Sequence, residues 1–260
     1  MVLTIDAGNT NTAIGLFDGQ RLDQHWRLSS RTQRTSDEFA LHLCELLRLV
    51  DLERSIVERA VVCSVVPVLT RAIMDGIAGA FGVEPLLVSA RAKLPVTIGT
   101  DTPSELGGDL IANAVGGYAR VQSACVIVDF GTALTFTAVD ERARIRGAAI
   151  APGLNTAVRG LVARTSALPM VDLAMPESFI GTNTAGALRS GIMNGYAGLL
   201  DRMVSGIRSE LGREATVLLT GGEAREIVQL TETELTVVPW LTLEGLYHIG
   251  VGTAFSPRTS

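Results

Sequence analysis

Leu3-Thr4-Ile5-Asp6-Ala7-Gly8-Asn9-Thr10 and Val126-Ile127-Val128-Asp129-Phe130-Gly131-Thr132 are two versions of one pattern, with their aspartates 123 residues apart (129 minus 6). Each is an apolar, β-rich run that ends in Asp-x-Gly and a hydroxyl residue. Each is followed by a second run, Thr12 to Phe17 or Leu134 to Val139, that closes on Asp18 or Asp140. Both read as β-hairpins. A repeat at this distance makes the chain a duplication.

The segments beyond the hairpins also match. A third strand is expected at Gln24 to Leu28 in the first half and at Arg144 to Ile150 in the second. The first half continues with a helix from Phe39 to Val50. Thr35 and Glu38 are spaced as its capping box, and Leu43, Leu46, Leu47 and Val50 fall on one face. A strand at Ala60 to Val66, a helix at Leu69 to Phe81, a strand at Pro85 to Val88 and a helix at Leu110 to Tyr118 complete that half. The second half offers helices at Asn155 to Thr165 and Ala185 to Leu211, a strand at Thr216 to Leu219 and an apolar tail from Leu235. The expected fold is α/β, with two mixed sheets facing a nucleotide cleft and halves at 1–118 and 119–260.

Composition excludes several classes of function. With 47% hydrophobic residues in a chain of 260, a full core can be buried, so disorder is excluded. Twenty-seven acidic against 22 basic residues give a net charge of −5, and no basic run stands out, so nucleic acid is not an expected partner. The start, Met1 to Asp6, lacks the basic segment of a signal peptide, and no apolar run approaches the ~18 residues of a membrane span. The chain therefore reads as soluble and cytoplasmic. Cys44, Cys63 and Cys125 sit in apolar settings without Cys-x-x-Cys spacing, which points to reduced, buried thiols and away from a zinc or redox site.

The repeated turns suit phosphate. An Asp-x-Gly turn exposes backbone N–H groups because glycine permits positive φ and carries no side chain to block approach. Asn9, Thr10 and Thr132 add donors, and Asp6 or Asp129 could hold a cation, directly or through water. Two matched copies favour a nucleotide gripped between hairpins over simple tight turns. Phosphoryl transfer also needs a group to orient the attacking hydroxyl. Asp109, after Gly107-Gly108, is the candidate, with helix capping as the alternative reading. Ile180 to Thr184 precedes another helix and suits either a substrate or a cap; Thr220-Gly221-Gly222 suits either an adenine or a plain strand-to-helix turn.

Taken together, these residues resemble the type III pantothenate kinases, within the superfamily of acetate and sugar kinases, heat-shock chaperones and actin. The resemblance extends to Cys63-Ser64-Val65-Val66-Pro67, Ala112-Asn113-Ala114, Pro152-Gly153, Ala167-Leu168-Pro169 and Trp240 to Leu246. It implies a duplicated ribonuclease H-like, actin-like ATPase fold. It also implies ATP-dependent phosphorylation of pantothenate, the first step of coenzyme A synthesis, by a homodimer that uses Mg2+ and a monovalent cation, K+ or NH4+. By that resemblance Asp6, Ala7, Gly8, Asn9, Thr10, Asn11, Thr12 and Ala13 bind ATP phosphate, and Thr132 binds ATP. Asp129 holds the monovalent cation and Asp109 is the general base, while Gly107, Gly108, Asp109, Leu110 and Thr184 contact pantothenate.

Departures from the family pattern keep two other readings open. Leu110 stands where the family has an arginine expected to meet the pantothenate carboxylate, and Leu134 where a second threonine is usual. Ala13, Ala148 and Val238 replace a lysine, a glycine and an acid. A kinase for another small alcohol, or a nucleotide-binding regulator without turnover, would tolerate these changes. For a dimer, the candidate face is the stripe Leu188, Ile192, Tyr196, Leu199 and Leu200, which could equally pack on its own sheet.

Overall fold

The structure, a computed structural model, describes residues 1–212, 214–222 and 227–255. It divides into two compact units: Met1–Gln122 with Ala143–Ile145 and Leu241–Ser260, and Ser123–Arg142 with Arg146–Trp240.

The first unit is built on β1 (Val2–Ala7), β2 (Asn11–Asp18), β3 (Arg21–Ser29), β4 (Arg59–Ser64) and β5 (Leu86–Leu87), ordered β3-β2-β1-β4-β5. The meander β1-β2-β3 is antiparallel, whereas β4 and β5 run parallel to β1. The central strands are covered on both faces, which is why β1 and β4 read as nearly continuous apolar runs. Helix α1 (Ser36–Arg48) begins at the predicted capping box. Glu38 N–H donates to Thr35 Oγ1 at 3.3 Å, and Thr35 N–H donates to Glu38 Oε2 at 2.7 Å. It buries Phe39, Leu43 and Leu47, one residue per turn, in a core shared with Leu69, Ile73 and Ile77 of α2 (Pro67–Phe81). Cys63 and Cys125 are buried as expected, but Cys44 is half-exposed.

In the second unit, β7 (Cys125–Phe130), β8 (Ala133–Val139), β9 (Arg144–Pro152), β10 (Thr216–Thr220) and β11 (Thr236–Val237) are ordered β11-β10-β7-β8-β9. Read from the other edge, this order repeats that of the first sheet strand for strand. The hairpin β7-β8 is antiparallel, and β10 and β11 run parallel to it as β4 and β5 do to β1. A short strand β6 (Thr97–Ile98) pairs with Arg144 and Ile145. Helices α4 (Leu154–Val162) and α5 (Thr184–Leu211) follow β9.

Two helices behave differently from their sequence pattern. Helix α3 (Gly108–Val121) is buried on all sides from Leu110 to Tyr118. The last described helix, α6 (Leu241–Gly250), forms from what reads as a featureless apolar tail and packs in the first unit, against α3. Small residues let the two backbones touch. A side chain at Gly116 would come within 2.6 Å of the Leu241 carbonyl oxygen, and one at Gly245 would overlap the Ala112 carbonyl. Across the seam Thr242 Oγ1 donates to the buried Asn113 Oδ1 at 2.7 Å, and Arg120 grips Glu244 through two bonds of 2.6 and 2.7 Å. Among the described residues no helix is long and apolar enough to cross a membrane.

Because both backbones fill the seam, Gly245→Ala should destabilise the fold by about 1–3 kcal/mol, the usual cost of overpacking. A urea-unfolding midpoint equal to wild type would show that the helices can separate freely.

Candidate active site

Within the first unit the parallel register of β1 and β4 sets Asp6 beside Cys63, near the C-terminal ends of both strands. The Cys63 thiol donates to Asp6 Oδ1 at 3.2 Å. After Ala7, which is buried, the chain turns through Gly8 to Asn11, and the Gly8 N–H donates to the Asn11 carbonyl at 3.0 Å. Asn9, Thr10 and Asn11 are exposed, Ala13 is half-buried, and the buried Thr12 hydroxyl bonds Ser30 Oγ at 2.9 Å.

Helix α3 brings its first turn to the same place. Gly107 caps it without a side-chain bond, and a methyl group there would overlap the Asp109 carboxylate. At Gly108 a methyl group would lie 2.8 Å from the Val88 carbonyl oxygen and 3.1 Å from Cys63 Cβ. Glycine thus allows the start of α3 to rest directly on β4. Asp109 Oδ1 accepts the Leu110 N–H at 2.9 Å, so part of the capping alternative is realised. Burial nevertheless pushes the Asp109 carboxyl above its ordinary pKa, against the opposing pull of the Leu110 and Asp109 N–H groups. A half-buried carboxylate with raised basicity suits a general base. Leu110 is itself buried, 7% exposed.

The second unit holds the other predicted residues. Asp129 lies in register between Thr135 on β8 and Thr220 on β10. The Gly131-Thr132 turn is braced from α4: the Thr132 carbonyl accepts the Gly153 N–H at 3.0 Å and the Thr156 hydroxyl at 2.7 Å. Thr132 itself is exposed. Gly221, at φ 98°, follows β10 so closely that a side chain would overlap Phe130. Gly222, Leu154, Asn155 and Met170 to Leu173 line a cavity of about 350 Å³. Thr184 is the exposed first residue of α5, and the preceding Asn183 caps that helix, accepting the Gly186 N–H at 2.8 Å.

Two expectations need correction. Gly8 and Gly131 do not take positive φ. Four residues intervene between the paired Ala7 and Thr12, and three between Phe130 and Leu134, so both turns are wide enough for ordinary backbone. The stripe Ile192, Tyr196, Leu199 and Leu200 packs on the core of its own unit, with Tyr196 Oη donating to the Pro152 carbonyl at 2.7 Å, so most of it is not a free surface.

This geometry can be set beside known proteins. Residues 2–206 match the family described as type III pantothenate kinase. A relative of that name from Geobacter sulfurreducens is 41% identical over 246 residues, covering 95% of this chain and 96% of the relative. Another, from Dehalococcoides mccartyi, is 40% identical over 248 residues, covering 95% and 94%. The chain belongs to the type III pantothenate kinase family. The fold extends further. The activator of the 2-hydroxyisocaproyl-CoA dehydratase from Clostridium difficile, solved with bound ADPNP, superposes with a TM-score of 0.56 at 15% identity, covering 95% of this chain and 94% of that one.

The residues are compatible with the divalent metal that such a family implies. Among the described residues no three His, Cys, Asp or Glu side chains cluster as a metal cage. Mg2+ needs none, since it keeps several waters and is held by one or two carboxylates with substrate phosphates. Beside Asp129, the buried Thr135 Oγ1 has no hydrogen-bond partner.

Sequence reasoning missed Cys63, which it treated as one more core thiol, and Thr156. The signal for Cys63 was strand register: once β4 is placed beside β1, position 63 must adjoin Asp6. Thr156 carries no comparable signal.

A carboxyl whose pKa rises on folding costs stability wherever it is ionised. That cost is absent below the unfolded value, about 3.9, and complete above the raised folded value. Asp109→Asn should therefore raise the melting temperature at pH 7–8, with a gain that shrinks as pH falls, while turnover drops by roughly a hundredfold or more. A mutant less stable than wild type at pH 8 would contradict a desolvated, ionised carboxylate.

Proposed function

We propose that the chain transfers the γ-phosphoryl group of ATP to the primary hydroxyl of pantothenate, giving 4′-phosphopantothenate and ADP, the first step of coenzyme A synthesis. The observation that carries the reading is the half-buried Asp109, its carboxyl pushed up by desolvation at the glycine-cleared start of α3, in a chain of this family. The Asp109 carboxylate takes the hydroxyl proton as the oxygen attacks the γ-phosphorus. The bond from phosphorus to the β,γ-bridging oxygen breaks, and ADP leaves with the electron pair. Asp6 to Ala13 hold phosphate oxygens through backbone N–H groups and the exposed Asn9 and Thr10, and the exposed Thr132 binds ATP. Gly107, Gly108, Leu110 and Thr184 contact pantothenate. Asp129 holds K+ or NH4+, and Mg2+ when bound neutralises phosphate charge. The nucleotide complex of the dehydratase activator supports a nucleotide on this fold.

The assembly we propose is a cytoplasmic homodimer. Ile150, Phe179 and Ile180, exposed by 70, 83 and 81%, offer apolar surface for it in place of the internally packed α5 stripe.

A second reading is favoured by Leu110. A buried leucine can donate nothing to a carboxylate, so the acceptor could be an uncharged small alcohol. ADP formation measured with ATP, Mg2+ and K+, with and without pantothenate, separates the two. Release that depends on pantothenate supports the first reading, and release that depends instead on an uncharged small alcohol added in its place supports the second. On pantothenate, Leu110→Arg should lower KM by about tenfold or more, as a charge-assisted hydrogen bond is gained. An unaltered KM would remove residue 110 from the carboxylate subsite.

A further inference from the structure

We propose that Cys63 is a positioning residue for phosphoryl transfer: its thiol, donating to Asp6 Oδ1 at 3.2 Å, fixes the carboxylate at the phosphate-binding turn. The inference rests on the reading of Asp6 as a phosphate-side residue.

Four observations support it. The sulfur is confined, since Asp6 adjoins it on β1 and Gly108, at the start of α3, lies against its Cβ. The thiol stays protonated, because burial, then Asp6 and Asp109, push its pKa well up. A thiolate there would add a negative charge beside two carboxylates, so the group acts as a donor and not as a nucleophile. The neighbouring hydroxyl does not substitute for it: Ser64 Oγ donates to the Val66 carbonyl at 3.2 Å and accepts from Thr70 at 2.9 Å. Finally, the duplicated half repeats the register. The strand neighbour of Asp129 is Thr220, at the position that Cys63 holds beside Asp6, and it too is a buried residue with a hydrogen to donate.

The test compares Cys63→Ala, Cys63→Val and Cys63→Ser in the full chain, with Mg–ATP affinity read by calorimetry and kcat and pantothenate KM read by ADP release. Alanine and valine remove the donor at smaller and larger volume, while serine keeps a donor in a smaller side chain. We expect Ala and Val each to weaken Mg–ATP binding and lower kcat by about five- to tenfold, the scale of one weak hydrogen bond to a charge. Pantothenate KM should stay within about twofold, and Ser should recover most of both losses. A packing role predicts instead that Ser is at least as harmful as Ala. Ser equal to Ala, or Ala and Val binding Mg–ATP as tightly as wild type, would overturn the inference. A wild type that binds ATP but leaves pantothenate untouched would count against the proposed reaction alone, and the ATP affinities would still decide the part played by Cys63.

Discussion

The close contact between the first turn of α3 and the end of β4 governs the candidate site. Gly108 rests on Cys63 and on the Val88 carbonyl, so Asp109 is carried to the strand ends where Asp6 lies. A side chain at position 108 would lift the helix, and with it the proposed base, away from the proposed phosphate-binding turn. The same region partly desolvates Asp109, which raises its basicity. Geometry and chemistry thus have one source.

That contact needs support from behind, and α6 provides it. The helix reaches α3 through Gly116 and Gly245, is fixed along its axis by the Thr242–Asn113 bond, and is closed at its rim by Arg120 and Glu244. The rim pair is substantially exposed and adds little. The buried bond matters more, since breaking it would take a donor from the buried Asn113 Oδ1 in an apolar seam. The C-terminal helix of the described chain therefore steadies a residue some 130 positions earlier (Thr242 to Asn113 spans 129).

Much of this was legible in the sequence. The repeated Asp-x-Gly pattern located both hairpins and the duplication, because strand alternation and turn residues are local signals. Thr35 and Glu38 marked the start of α1 for the same reason. What stayed hidden depends on tertiary contact. Helix α6 is buried over most of its surface, so no polar face gives it a helical period. β6 and β11 are two residues long and exist through their partners. At the site, the glycines were visible but their reason was not: Gly108 serves close approach, and Gly8 does not need the left-handed backbone expected of it. The thiol of Cys63 acquired its meaning only once β4 lay beside β1.

The central claim, that burial makes Asp109 an unusually basic carboxylate which accepts the substrate proton, is tested most directly by the pH dependence of kcat/KM for pantothenate. A base must be ionised to act, so activity should fall on the acidic side as pH drops through its pKa. The account predicts an acidic limb centred above the ordinary value of an aspartate. A rate that holds constant down to pH values where an unperturbed aspartate protonates would contradict it.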